Sequence, residues 1–124
     1  MGAPRNMTKP NSRAFRSANQ AIRAAFVQLP ADGCTLPIPA LPKPRKWSAP
    51  EKARWKELWE SPQATQWDET VKGTVALLVT YESRLLDPGD GGTAWVAQEA
   101  RHAAEALGLT PKAMTALGWM IADE

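Results

Sequence analysis

Apolar residues recur at helical spacing in five stretches of this chain, and prolines or glycines punctuate the intervals between them. From Asn11 or Ser12 onward, Phe15, Ala18, Ile22, Ala25, Phe26 and Leu29 step by 3, 4, 3, 1 and 3, which predicts a helix to about Leu29. Five prolines (Pro30, Pro37, Pro39, Pro42, Pro44) then forbid helix and central strand and favour extended polyproline geometry. Between them, Leu36, Ile38 and Leu41 are spaced to lie along a groove on the body or on a neighbouring subunit. Ser48-Ala49-Pro50-Glu51 reads as a capping box with proline in the first turn, opening a helix striped by Trp55, Leu58 and Trp59. Ser61-Pro62 ends that helix. Trp67, Val71, Val75, Leu78, Glu82 and Leu85 then repeat at 4, 4, 3, 4 and 3, predicting the longest helix from Gln63 to Leu86. Leu77, Val79 and Leu86 widen its apolar face enough to meet more than one neighbour.

Asp87-Pro88-Gly89-Asp90-Gly91-Gly92 is a loop. A fourth helix is predicted from Thr93 to Leu107, carrying Trp95, Val96, Ala100, Ala103, Ala104 and Leu107. Gly108 caps it, and Leu109 is placed to fold back on its last turn. Thr110-Pro111 starts a fifth helix with Met114, Leu117 and Ile121 inward. No segment shows a period-2 alternation. The expected fold is therefore all-α, a small domain of about four to five helices. It divides into a basic N-terminal arm (1–29), a Pro-rich linker (30–46) and a helical oligomerisation body (47–124).

Composition sharpens this picture at one point. Six tryptophans in 124 residues are a large aromatic load on a short body, and a core of that size is marginal alone, which favours assembly with other copies. Trp55, Leu58, Trp59, Trp67, Val71, Val75, Leu78 and Leu85 are the candidates for the core and the subunit interface. Trp59 and Trp67 are followed by Glu60 and Asp68 rather than by cations, so packing suits them better than stacking on single-stranded bases.

Charge changes the picture more. Residues 1–54 hold ten Lys or Arg against two acids, a balance of +8, and residues 55–124 hold five against eleven, a balance of −6. The overall +2 hides a basic front joined to an acidic back. The candidate DNA-binding residues are Arg5, Lys9, Arg13, Arg16, Arg23, Lys43, Arg45 and Lys46. They are scattered over Pro-punctuated backbone, and residues 1–10 read as disordered, so contacts would go to phosphates without strong base readout. The competing reading is a solvated basic tail with no partner.

Little supports catalysis or a cofactor. The single His102 sits between Arg101 and Ala103, and no nucleophile–base pair can be assembled around it. Gly89, Gly91 and Gly92 follow a helix rather than a strand and lack a phosphate-binding lysine. No metal-ligand spacing occurs. One cysteine, Cys34, excludes an internal disulfide and fits a reducing cytosol. No run approaches the length of a membrane span, and the N-terminus lacks a secretion signal core. Ala104, Gly108 and Met114 fit the small residue, turn glycine and core aliphatic of a helix-turn-helix. The would-be reading helix, however, offers only Lys112 and Thr115 to DNA.

Several stretches resemble the small terminase subunits of tailed bacteriophages. They are Pro37-Ile38-Pro39-Ala40-Leu41-Pro42, Trp47-Ser48-Ala49-Pro50-Glu51 and the run from Leu58 to Trp67 (Leu-Trp-Glu-Ser-Pro-Gln-Ala-Thr-Gln-Trp). Gln98-Glu99-Ala100-Arg101, Leu107-Gly108-Leu109-Thr110-Pro111 and Leu117-Gly118-Trp119 complete the likeness, which covers about residues 36–121. The resemblance implies a non-enzymatic packaging factor in the host cell cytoplasm that forms a ring-like homo-oligomer. Its implied partners are double-stranded viral DNA and the large terminase subunit, which carries the ATPase and nuclease. The chain departs from the pattern in lacking an N-terminal helix-turn-helix, so no DNA-contact residues carry over. Two other readings remain open: a helix-turn-helix regulator reading an operator through residues 110–117, and a virion structural or adaptor protein that does not touch nucleic acid.

Overall fold

The computed structural model describes residues 25–87, 89 and 93–122. Arg5, Lys9, Arg13, Arg16 and Arg23, and most of the helix expected from Asn11, lie outside the described residues.

Local signals set most helix ends where they were expected. Helix α1 spans Ala49–Trp59. The Ser48 hydroxyl accepts from the Glu51 amide, and the Glu51 carboxylate accepts from the Ser48 amide at 2.9 Å, so the capping box is closed in both directions. Helix α2 spans Lys72–Leu86, α3 spans Ala94–Ala106 and α4 spans Pro111–Leu117. Thr93 and Thr110 cap α3 and α4 by accepting from the amides three residues on, Val96 and Ala113. Beyond α3 the chain makes a Schellman turn. The Leu109 amide donates to Ala104 at 3.0 Å, and the Gly108 amide donates to Glu105 at 3.1 Å. Gly108 has φ of +74°, which favours glycine, and a Cβ there would lie 2.2 Å from the Trp119 ring, so any larger residue must displace the ring.

The fold is mostly helical, as expected, with two corrections. First, the long helix expected from Gln63 to Leu86 is broken. A 3₁₀ turn over Pro62–Gln66 and another over Glu69–Val71 precede α2. Between them Trp67 is extended, with φ of −87° and ψ of 148°, and Asp68 caps the second turn by accepting from the Thr70 amide. The break lets the Trp67 ring enter the core, where its Nε1–H donates to the Leu107 carbonyl at 2.9 Å. The Asp68 side chain competes for backbone amides as aspartate does at helix starts.

Second, the chain is not purely helical. Strand β1 (Val27–Leu29) pairs in parallel with β2 (Trp119–Ile121), Val27 opposite Trp119 and Leu29 opposite Ile121. Val27 N–H donates to Gly118 at 2.7 Å and Ala122 N–H donates to Leu29 at 2.8 Å, extending the ladder at both ends. The helix expected to reach Leu29 therefore gives way to strand before Val27, and Leu29 is fully buried. Gly118, left-handed at φ of +75°, stops α4 and turns the chain into β2, so Ile121 is an exposed strand residue rather than an inward helical one.

The core lies where α1, α2 and α3 meet, with α2 packed most extensively on α3. Alanines 100 and 103 keep α3 close to α2. The Trp55 and Trp59 rings meet at 5.6 Å between centroids, and Trp59 meets the Trp67 ring edge-on at 5.2 Å. The Pro-rich segment is tied down across this core. Trp55 Nε1–H donates to the Pro39 carbonyl at 2.8 Å, and Trp47 Nε1–H donates to the Pro42 carbonyl at 3.0 Å. These acceptors stand three residues apart, the repeat of polyproline geometry, whose carbonyls have no internal partner. At the other end the Cys34 amide donates to the Glu60 carbonyl at 2.9 Å. Only glycine fits at position 33, since a Cβ there would sit 2.2 Å from that same carbonyl oxygen. Of the three apolar linker residues, Leu41 packs on the core while Leu36 and Ile38 stay exposed.

Candidate nucleic-acid interface

Of the eight expected DNA-binding residues, Lys43, Arg45 and Lys46 lie among the described residues. They occupy the bend that delivers the strap into α1. Lys43 and Lys46 are exposed. Arg45 is different. Its Nη2 lies 2.7 Å from Glu51 Oε2, its Nη1 lies 3.3 Å from Glu51 Oε1, and its guanidinium stands 3.8 Å over the Trp47 ring. Both terminal nitrogens are therefore engaged by Glu51, and Arg45 anchors the Pro-rich segment to α1. Hydrogen bonding from Arg45 holds the buried Glu51 carboxyl below the usual carboxylate range, against the opposing effect of burial, with the Ser48 amide and hydroxyl assisting.

Two exposed cations outside the sequence candidates stand on α1. Lys52 and Lys56 are exposed on α1 and stand four residues apart, hence on one face. Neither enters an ion pair among the described residues, unlike Arg54 on the same helix. Arg54 bridges to Glu82 on α2 at 2.8 Å and to Glu57 at 2.6 Å, and Glu82 above all raises its pKa. Sequence spacing could have found Lys52 and Lys56 once α1 was placed. Glu51 and Glu57 dilute the local charge, which weakens that signal.

The α3–α4 corner is a packed hairpin. Leu107 and Ala113 are buried in it, and Gln63 Nε2 donates to the Met114 sulfur at 3.3 Å. Helix α4 has seven residues and presents one cation, Lys112, while the Thr115 hydroxyl donates to the Pro111 carbonyl at 3.1 Å. The exposed Glu105 and partly exposed Glu99 face solvent on the neighbouring helix.

The residues expected to form core or interface separate in the structure. Trp55, Leu58, Trp59, Trp67, Val75 and Leu78 are buried within the single subunit, Val71 is half-buried, and Leu85 is at the surface. Apolar surface is left elsewhere: Leu77 on α2, Leu86 at its end, and Trp95, which is 58% exposed and meets Tyr81 edge-on at 6.1 Å. Among the described residues no cluster of His, Cys, Asp and Glu is arranged to hold a metal ion, and His102 is an exposed side chain 3.8 Å from Glu99. No helix among the described residues is long and apolar enough to cross a membrane.

Compared with known proteins, residues 5–122 match the family model described as phage terminase small subunit. No curated protein and no solved structure matches the chain.

Proposed function

Because the chain belongs to the phage terminase small subunit family, we propose that it is a DNA-packaging factor whose basic edge binds duplex viral DNA through phosphates. Family membership itself supports a role in phage genome packaging. The observation that carries the DNA reading is the charge division, +8 over residues 1–54 against −6 over the rest, together with the exposed Lys43, Lys46, Lys52 and Lys56 along the strap bend and α1. Cations in extended chain and on a solvent-facing helix suit backbone neutralisation, with little base readout. The outward Leu77 and Trp95 suit assembly with further copies into a ring, which would multiply weak contacts per subunit. In this proposal the protein is non-catalytic, works in the host cell cytoplasm, and delivers DNA to the large terminase subunit, which supplies the ATPase and nuclease.

Salt titration of duplex binding tests the assignment. Replacing Arg13, Arg16 and Arg23 with alanine, or Lys43, Lys46, Lys52 and Lys56 with alanine, should weaken binding uniformly across sequences. Each lost phosphate contact should flatten the slope of log affinity on log salt by about 0.9. Unchanged affinity and slope in both variants would reject it. Lys112→Ala discriminates the operator-reading alternative, which requires relaxed sequence choice, whereas the phosphate reading expects little effect.

A further inference from the structure

Strands β1 and β2 are three residues each, and a two-stranded sheet that short is marginal without further strands or packing. The parallel register fixes where each backbone group points. Val27 and Leu29 turn their N–H and C=O groups onto β2, as the bonds from Val27 N–H to Gly118 and from Ala122 N–H to Leu29 require. On β2 the same alternation turns Met120 toward β1, and turns Trp119 and Ile121 away from it. Among the described residues, the outward N–H and C=O groups of Trp119 and Ile121 have no backbone partner. The other side of the sheet differs, because β1 turns only Gln28 outward and packs against the 3₁₀ turn Pro62–Gln66. Edge strands are ordinarily guarded by charge or proline, and Trp119-Met120-Ile121 carries neither. Leu117 and Ile121 stand exposed beside that edge.

This edge is complementary to itself. When a second copy lies antiparallel across a two-fold axis at Met120, Trp119 faces Ile121 of the second copy, and Ile121 faces its Trp119. Each of these pairs exchanges both N–H···O=C bonds, so every outward group of β2 is used. A shift of the register in either direction leaves some of them unpaired. The same register sets an aromatic side chain opposite a β-branched one on both sides of the axis, a cross-strand pairing that stabilises sheets.

We propose that the outer edge of β2 is a self-association edge, across which two copies of this chain join their sheets in the order β1-β2-β2-β1. The contact is isologous and therefore closes at two copies. It is separate from the apolar face around Leu77 and Trp95, and it does not rest on the DNA-binding reading above.

Met120→Cys in the full chain tests the register. The two introduced thiols would occupy the central, non-hydrogen-bonded position of the antiparallel pair, where Cα atoms approach to about 4.5 Å, within disulfide reach. Mild oxidation should link two copies through position 120, read on a non-reducing gel and by peptide mapping. The link should form several-fold faster than with Lys112→Cys, at an exposed position on α4, and wild type, whose Cys34 is buried, should give none. Ile121→Pro removes an outward N–H and spares the ladder to β1, which uses the amides of Met120 and Ala122. It should halve the particle mass in light scattering while helix content holds in circular dichroism. No linked dimer, a rate no faster than that of Lys112→Cys, or an unchanged mass in a folded Ile121→Pro variant overturns the proposal. If Ile121→Pro loses helix content, the crosslink alone decides. A linked dimer that binds no duplex at low salt strikes the DNA reading and leaves the edge pairing standing.

Discussion

Replacing Glu51 with glutamine isolates the carboxylate that ties the strap to the body. Glutamine keeps the shape, and its carbonyl oxygen can still accept from the Ser48 amide, so most of the capping box survives. What is lost is the 2.7 Å charge-assisted contact at Oε2, where the glutamine NH₂ is left facing a guanidinium donor, while the 3.3 Å contact at Oε1 loses its charge. Charge-assisted bonds of this kind contribute about 1.5–3 kcal/mol when buried. The Arg45 side chain is 42% exposed, and solvent screening pulls the value toward that of surface pairs. An intermediate cost of about 1.5 kcal/mol follows, or roughly 6 °C in melting temperature for a domain near 100 residues.

The pH dependence makes the test specific. Arg45 lowers the folded-state pKa of Glu51, so its contribution is fully present above the ordinary carboxylate pKa and is lost as pH falls through the lowered value. Thermal melts of wild type and Glu51→Gln, followed by circular dichroism, should therefore differ at pH 7 and still differ at pH 5. They should converge in strongly acidic solution. Trypsin should also cut after Lys46 faster in the variant as the strap loosens. A gap between the two melts that stays constant from neutral to strongly acidic pH would refute the reasoning, because a lost packing contact, not the ion pair, would then explain the cost.

Gly33→Ala should destabilise by about 2 kcal/mol or more in denaturant unfolding, since it combines a positive φ with a Cβ against the Glu60 carbonyl. Gly108→Ala carries the same backbone penalty, but it meets the movable Trp119 ring and should weaken the β1–β2 pairing, read as faster amide exchange at Val27 and Ala122. The tryptophan N–H groups make an asymmetric pair. Trp67→Phe leaves the Leu107 carbonyl without its donor, whereas Trp59 Nε1 is buried with no partner among the described residues. Trp67→Phe should therefore cost about 1–2 kcal/mol more than Trp59→Phe in chemical denaturation. Leu77→Asp with Trp95→Ala should leave helix content intact and reduce assembly in light scattering. Unchanged mass would remove this face from the subunit interface.

Features decided within a few residues of chain were legible in the sequence. The capping box at Ser48, the threonine caps at positions 93 and 110 and the Schellman turn at Gly108 each involve partners at most five residues apart, so side-chain type and spacing were sufficient. The charge division is likewise a property of composition and is readable without any geometry. Other features depended on distant partners. Trp67 fitted a helical stripe, but its bond to Leu107, forty residues away, outweighed one more helical turn. Strands of three residues are too short to show alternation, and neither β1 nor β2 exists without the other, which lies near the opposite end of the chain. The role of Arg45 depended on folding in the same way, because an arginine in a basic run looks free to bind phosphate until a buried glutamate and a tryptophan ring are brought against it. Local preference is summed over neighbouring residues, whereas burial and hydrogen-bond satisfaction are settled only when the tertiary fold brings remote groups together.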